Sequence, residues 1–205
     1  MKNLLREGNN LVKTRLLDLI KTRATTRFFI DKPIPKNILR KIINAGVWGP
    51  SVLSFQPAMF VVITRKSLIT KISEAILGKS KDFLIGRNVL HSISQVLLDA
   101  SVVVLIYNTR IASNRVSKLN TDYAKIVTKA EIEAIAASIQ NMILISEALN
   151  IGSCWLDIPL LCQNEINKIV GVSMELCDLL LLGYPRTKRK RSKRKRASEM
   201  IKILE

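Results

Sequence analysis

Histidine and cysteine are scarce in this chain of 205 residues, and that scarcity argues against several kinds of site. The single histidine, His91, cannot form a histidine-based metal centre, and we expect it on a helix as an ordinary polar residue. The three cysteines, Cys154, Cys162 and Cys177, lack the spacing of metal ligands. An odd number of cysteines in apolar surroundings predicts free, buried thiols in a reducing cytoplasm.

Long hydrophobic runs are also missing. The longest apolar stretches, such as Val102–Tyr107 and Leu179–Leu182, are far shorter than the roughly 20 residues that a membrane-spanning helix needs. The N-terminal segment carries charges at Lys2, Arg6 and Glu7 and has no unbroken apolar stretch, so it does not look like a signal peptide. We therefore expect a cytoplasmic protein without a membrane span.

Acidic residues are few: 16 against 33 basic ones, which gives a net charge of +17. The excess is concentrated at residues 186–196, where nine of eleven residues are basic. Such a block is usually a solvated segment, although it also suits a phosphate-rich partner such as nucleic acid. We expect a domain at residues 1–185 and a basic tail at residues 186–205, with a short terminal strand at Glu199–Leu204 that pairs with another subunit.

Apolar residues are plentiful, at 48% of the chain, and the mean hydropathy is +0.19. This length and composition predict one domain with a well-buried core. The hydropathy is high for a soluble monomer, so we expect a partner chain to cover some apolar surface. The apolar arc of the predicted helix Lys129–Leu149 is too wide for a surface helix and suits the central core or a dimer interface.

The hydrophobic periodicity predicts helices mixed with strands without strict alternation, which indicates an α+β fold with one central sheet. Helices are expected at Leu11–Thr22, 34–46, Ser67–Leu77, Phe83–Leu98, Lys129–Leu149 and Gln163–Val170. Strands are expected at Met59–Thr64, Ser101–Tyr107, Ser153–Leu156 and Leu176–Leu182. Asn108–Thr121 is polar and is expected to be an irregular lid or variable loop.

Two segments carry groups that suit a ligand. Residues 23–27 read R-A-T-T-R, and guanidinium groups beside hydroxyls suit a phosphate or another oxyanion. If the backbone is helical there, Arg23 and Arg27 share one face. Residues 48–57 read W-G-P-S-V-L-S-F-Q-P, a loop between two rigid elements where amides and hydroxyls can face a ligand. Each segment alone could equally be a solvated turn or an ordinary connection.

Four segments in order resemble the FMN-dependent nitroreductase family. They are residues 23–34 (R-A-T-T-R-F-F-I-D-K-P-I), 48–62 (W-G-P-S-V-L-S-F-Q-P-A-M-F-V-V), 148–155 (A-L-N-I-G-S-C-W) and 183–185 (G-Y-P). The resemblance implies a central mixed β-sheet flanked by helices, in an intertwined homodimer with FMN at the interface. It also implies an enzyme that passes hydride from NADH or NADPH through FMN to a nitroaromatic, a quinone or a similar electron-poor small molecule.

The resemblance implies cofactor contacts in four places. The first segment that matches FMN-binding positions contains Arg23 toward the phosphate, Arg27 near the O2/N1 side of the ring, and between them Ala24 and Thr25. The loop that matches positions reaching the flavin from the second subunit consists of Pro50, Ser51, Val52, Leu53 and Ser54. An acidic residue and the following backbone N–H, which face flavin N5 in the family, match Asp157 and Ile158. A phosphate-binding pair near the C-terminus matches Lys193 and Lys195, with Arg194 and Arg196 as the alternative register.

The chain also departs from the family pattern. Ala24 stands where the family often has a second arginine or a histidine, and Leu53 stands where it often has glycine. Ile93 and Val96 replace an asparagine and a lysine that contact FMN in some members. No side chain is expected to act as a nucleophile, because flavin itself accepts and donates hydride.

Two other interpretations stay open. One is a specialised enzyme of the same fold that dehalogenates, desaturates or fragments flavin. The other is a binding protein without catalysis that uses the basic tail on nucleic acid or another anionic surface.

Overall fold

The computed structural model describes residues 16–82, 87–118, 121–187 and 191–204. In these residues, helices surround a five-stranded sheet. The strands are β1 (Phe29–Ile30), β2 (Ala58–Ile63), β3 (Val102–Asn108), β4 (Gly152–Leu156) and β5 (Glu175–Pro185). The helices are α1 (described over residues 16–22), α2 (Lys36–Val47), α3 (Lys66–Lys79), α4 (Arg87–Asp99), α5 (Ile111–Ser117), α6 (Thr121–Ala148) and α7 (Gln163–Val170).

The sheet has the strand order β1-β5-β3-β2, and β4 also pairs with β5. All four described ladders are antiparallel. Parallel pairing is limited, within the described ranges, to an isolated bridge between Thr25 and Ser153. The α+β prediction is confirmed. The expectation of a mixed sheet is not met in the described residues, since paired strands run in opposite directions in all four ladders.

Strand β3 shows why the chain needs helices on both faces of the sheet. All seven of its residues are buried. Leu105 and Tyr107 pack in a cluster with α3, α4 and α7, whereas Val104 and Ile106 pack in a second cluster with α2 and α6. Successive side chains of a strand point to opposite faces, so a continuous apolar run fits a strand that is covered on both sides.

Most predicted elements are found within a few residues of their expected bounds. The helix at Gln163–Val170 is confirmed with the same bounds, and the long helix extends further toward the N-terminus than expected, to Thr121. The first residues of two predicted helices, 11–15 and 83–86, lie outside the described residues.

The expectation of an irregular segment at Asn108–Thr121 is wrong, because α5 lies within it. The carboxylate of Glu131, a fully buried residue of α6, accepts hydrogen bonds from the backbone N–H groups of Ala112 at 2.9 Å and Ser113 at 3.1 Å. A carboxylate at the first turn stabilises a helix start. Glu131 lies 19 residues after Ala112 and 18 residues after Ser113, so the local sequence pattern does not reveal this cap.

The basic tail begins at an anchored residue. Arg186 donates from Nε to the carbonyl of Phe29 at 3.0 Å and from Nη2 to Oδ2 of Asp99 at 3.1 Å. Further on, Ala197–Glu199 form a 3-10 turn and residues 201–204 carry no regular structure. The predicted terminal strand needs a second subunit to pair with, so it stays a prediction. Residues 188–190 of the basic run lie outside the described residues.

The prediction for the cysteines is confirmed, since all three are free and buried. His91 is exposed on α4. Within the described part of the chain, no helix is both long and apolar enough for a membrane crossing. The same residues contain no cluster of side chains that could hold a metal ion.

Candidate functional site

A cavity of about 730 Å³ lies where the chain leaves α1, and we call it the cationic cavity. Two separate parts of the sequence form its wall. The first is the end of α1 with the segment after it, which contributes Ile20, Lys21, Arg23, Ala24, Thr25 and Arg27. The second is the basic tail, which contributes Arg191, Ser192 and Arg194. The fold thus brings the predicted R-A-T-T-R segment and the tail to one place.

The backbone from Arg23 to Arg27 is not helical, and an isolated bridge at Thr25 joins it to β4. The helix ends at Thr22, and the Arg23 N–H donates to the carbonyl of Leu19 at 3.0 Å. Thr26 then donates its N–H to the carbonyl of Ser153 at 2.8 Å, beside the parallel bridge to β4. Arg23 and Arg27 therefore do not share a helical face, yet both line the cationic cavity.

A glycine allows this segment to lie close to β4. A Cβ atom on Gly152 would lie 2.6 Å from Oγ1 and 2.8 Å from Cβ of Thr26. Thr26 itself is buried, and so is Ala24 beside it. The glycine of the A-L-N-I-G-S-C-W segment is therefore required by the close contact between β4 and the arginine segment.

A second cavity, of about 450 Å³, lies between α4 and β4, and we call it the apolar cavity. Arg27 lines it as well as the cationic cavity. The remaining wall is formed by Asn88, Val89, Ser92, Ile93 and Val96 on α4, and by Cys154, Trp155, Leu156 and Asp157. One edge of β4 pairs with β5, and its other edge is joined to the described residues through the bridge between Ser153 and Thr25. The residues after that bridge, 154–157, line the apolar cavity.

The part of this wall on α4 contains two polar residues, Asn88 and Ser92, that the family resemblance does not indicate. Ile93 and Val96 stand where some family members have an asparagine and a lysine, and both do line the apolar cavity. Asn88 and Ser92 lie on the same helix and supply polar groups there. Their place follows from helical periodicity, since Ser92 and Val96 are four residues apart and share a face of α4.

Asp157 and Ile158 lie where β4 ends. Asp157 lines the apolar cavity, and Ile158 begins the 3-10 turn Ile158–Cys162. The Asp157 carbonyl accepts a hydrogen bond from the Leu160 N–H at 2.9 Å, which fixes the turn. The predicted acidic residue and the backbone position after it are thus at the border of the cavity that Arg27 also lines.

A half-buried carboxylate supports the same wall. Trp155 donates from Nε1 to Oδ1 of Asp178 at 2.6 Å, from β4 to the neighbouring β5. Burial raises the pKa of Asp178 to about 6, and the charge of Asp157 acts in the same direction, whereas the hydrogen bond from Trp155 opposes both. The sequence does not indicate a role for Asp178, because its hydrogen-bond partner Trp155 is 23 residues away and lies on another strand.

Cys154 is a buried thiol at this site. Its side chain is 1% exposed, and burial raises its pKa while the charge of Arg27 lowers it. A thiol with a raised pKa is a poor nucleophile, so the residue acts as a small apolar group in the wall.

The loop of Pro50 to Ser54 lies elsewhere. Ser51 lines a separate cavity of about 210 Å³ between α2, β2 and α6, together with Gly49, Gln56 and Ser138. Val52–Ser54 form a 3-10 turn in which Leu53 has φ of 49° and ψ of 25°, and Ser54 and Gln56 also have positive φ. These conformations are costly for residues other than glycine. Leu53 is 60% exposed and Trp48, just before the loop, 84% exposed.

The far end of the loop is anchored. Phe55 packs against the small apolar cluster of Ala112, Val116 and Val127, and the guanidinium of Arg115 lies 5.5 Å from its ring centroid. The carbonyl of Pro57 accepts hydrogen bonds from both N and Oγ1 of Thr109. The strained turn is therefore presented outward from a fixed base.

The tail reaches the cationic cavity with one residue of the alternative register. Arg194 lines the cavity, together with Arg191 and Ser192. Lys193 and Lys195 are exposed and do not line it. Arg196, the other member of the alternative register, does not line the cavity either, so the phosphate contact of the tail stays a prediction.

Comparison with known proteins agrees with this architecture. The profile of the nitroreductase family matches residues 20–184. The chain belongs to the nitroreductase family. A relative from Methanothermobacter thermautotrophicus, named "Putative NADH dehydrogenase/NAD(P)H nitroreductase", is 23% identical over 84% of this chain and 78% of its own length.

Two solved structures share the fold of this chain. A BluB-like flavoprotein from Clostridium difficile 630 superposes with a TM-score of 0.77 at 23% identity, covering 93% of this chain and 99% of that one. A nitroreductase with bound FMN from Bacteroides fragilis NCTC 9343 has a TM-score of 0.70 at 22% identity, covering 93% and 98%. At these identities the likeness establishes the fold.

Proposed function

We propose that this nitroreductase-family chain is an FMN-dependent oxidoreductase that takes hydride from NADH or NADPH and passes it to a nitroaromatic, a quinone or a similar small acceptor. The observation that carries the proposal is the pair of cavities that share Arg27. One is lined by cations and the other by apolar side chains and the end of an edge strand.

The two cavities fit the two ends of FMN. A phosphate group needs cations and hydroxyls, which Arg23, Thr25 and Arg194 provide in the cationic cavity. A flat ring needs an apolar wall with a few polar groups at its edge, as most ligand pockets have. Ile93 and Val96 form such a wall, while Asn88 and Ser92 stand as its polar groups.

Bound FMN would supply the centre that accepts and donates hydride. The residues of the chain bind and orient it and set the charge around it. Arg27 borders both cavities, so its guanidinium places a fixed positive charge beside the ring end of the site, where it stabilises added negative charge. The backbone N–H after Asp157 is the donor proposed for the N5 edge, a role that any residue except proline can fill.

A second copy of the chain completes the site in this proposal. Pro50, Ser51, Val52, Leu53 and Ser54 lie apart from the cationic and apolar cavities of their own chain. The outward loop, with exposed Trp48 and Leu53, supports a role at a partner's cavity. We expect a homodimer in light scattering, and a flavin-loaded monomer would contradict this part of the proposal.

The experiment is an assay of nicotinamide oxidation. Purified protein, loaded with FMN, is mixed with NADH or NADPH and a small panel of nitroaromatic and quinone acceptors. We expect a yellow protein and acceptor-dependent oxidation that fails when FMN is left out. A colourless protein that takes up no FMN and instead shifts nucleic acid with a steep salt dependence would favour the non-catalytic interpretation.

A further inference from the structure

The cationic cavity holds more positive charge than one FMN phosphate can use. Five of its lining side chains are cationic, and none of its lining residues is acidic. They are Lys21, Arg23, Arg27, Arg191 and Arg194. A phosphate dianion carries a charge of about −1.5 to −2 at neutral pH, so it leaves roughly three of these charges without a counter-charge.

No ion pair among the described residues involves this cluster. The ion pairs of the described chain join Lys79 with Asp82, Arg110 with Glu175, Lys125 with Asp122, Lys129 with Glu133 and Arg186 with Asp99. None of the five cavity cations takes part in them. Clustered cations repel one another, so a cluster without acids is stabilised by an anion.

The five cations divide by position. Arg23 and Arg194 are the residues that match the predicted phosphate contacts, and Arg27 is shared with the apolar cavity. Lys21, on the last turn of α1, and Arg191, in the tail, have no assigned role. The cavity of about 730 Å³ also has far more room than a single phosphate group needs.

We propose that Lys21 and Arg191 bind a second phosphomonoester, the 2′-phosphate of NADPH, so that the enzyme prefers NADPH to NADH. This inference rests on the proposed function, because the reductant must bring its nicotinamide to the ring end of the site beside Arg27. The cationic cavity adjoins that position, and the 2′-phosphate is the group that distinguishes the two reductants.

The test compares adenosine 2′,5′-bisphosphate with ADP and AMP by isothermal titration calorimetry of the protein as purified. ADP is also highly charged but lacks the 2′-phosphate. We expect the bisphosphate to bind at least tenfold more tightly than ADP. Equal affinity for the two would overturn the inference, because it would show a general attraction to charge.

Variants separate the second site from the flavin site. Lys21→Gln with Arg191→Gln should weaken the bisphosphate by about tenfold to a hundredfold, the range of a lost charge-assisted hydrogen bond. It should also bring kcat/KM for NADPH close to that for NADH. Arg65→Gln, which removes an exposed arginine at the start of α3, is the control and should change neither.

The flavin content, read from the visible spectrum, separates the two proposals. If the double variant retains its flavin and loses the preference, the second site is supported. If it releases its flavin, Lys21 and Arg191 serve the FMN phosphate and the inference fails. If the parent protein binds no flavin at all, the proposed function fails, while the comparison of the adenosine nucleotides still decides whether a 2′-phosphate is recognised.

Discussion

The indole Nε1 of Trp155 and the carboxylate of Asp178 are joined by a hydrogen bond of 2.6 Å between neighbouring strands, at the wall of the apolar cavity. Burial holds the pKa of Asp178 at about 6, above its ordinary value of 3.8. The folded protein therefore binds this proton more tightly than the unfolded chain does.

The contribution of Asp178 to the free energy of unfolding should therefore fall as the pH rises from about 4 to about 6. Asp178→Asn keeps an acceptor for Trp155 and removes the charge, so it should flatten this part of the profile and stabilise the protein at pH 7. Urea unfolding at a series of pH values measures the effect. Asp31→Asn, at an exposed position, is the control, and an unchanged slope in Asp178→Asn would contradict the assignment.

The close contact of Gly152 with Thr26 predicts a steric penalty. Gly152→Ala places a Cβ 2.6–2.8 Å from the atoms of Thr26, and overpacking of this kind costs about 1–3 kcal/mol. The double variant Gly152→Ala with Thr26→Ala removes Oγ1 and Cγ2, the two nearest opposing atoms, and should recover part of the loss. Thermal unfolding of the four proteins of this cycle measures the coupling, and additive effects would show that the contact is not the cause.

Leu53 predicts a gain in stability. Its φ of 49° lies in the left-handed region, where a side chain costs about 1–2 kcal/mol and glycine does not. Leu53→Gly should stabilise the protein by about 0.5–1 kcal/mol after the entropy cost of glycine in the unfolded chain. Leu53→Ala keeps a Cβ and is the matched control. A glycine variant no more stable than the alanine variant would exclude strain at this position.

Sequence alone predicted much of this fold, and the elements it missed have long-range causes. The apolar run Val102–Tyr107 predicts a buried strand because six consecutive apolar residues need cover on both faces. Helix α5 could not be predicted, since its first turn is capped by Glu131 of another helix. The direction of the strand pairings likewise depends on connections that local patterns do not describe.

The residues of the site also divide into those that the local sequence predicts and those that only the fold brings there. The R-A-T-T-R segment was predicted because its charges and hydroxyls follow one another in the chain. The residues of the tail that reach the cavity could not be predicted, because every position from Arg186 to Arg196 except Thr187 and Ser192 is basic. Only the folded structure shows that Arg191 and Arg194 line it. Asn88 and Ser92 enter the site from α4, which carries none of the four motif segments, and Asp178 lies on β5 outside the G-Y-P segment.

Arg27 predicts an effect on reduction rather than on binding. It lines both cavities, so its charge should stabilise the reduced, more negative state of a bound ring. Arg27→Ala should lower the midpoint potential of the bound flavin, measured by spectroelectrochemistry. Arg23→Ala, which changes a residue of the cationic cavity alone, should shift the potential less. Equal potentials for Arg27→Ala and the parent would remove Arg27 from this role.

FMN binding in the cationic cavity is tested by a titration of FMN into flavin-stripped protein, followed by flavin fluorescence, for the parent and for Arg23→Ala. Arg23 lines the cationic cavity, and losing a charge-assisted contact to phosphate should cost about 1.5–3 kcal/mol, or roughly a factor of ten to a hundred in Kd. Riboflavin, which lacks the phosphate, should bind both proteins equally. FMN binding that is unaffected by Arg23→Ala, or a parent protein that does not bind FMN, would show that the cationic cavity is not the site of the FMN phosphate.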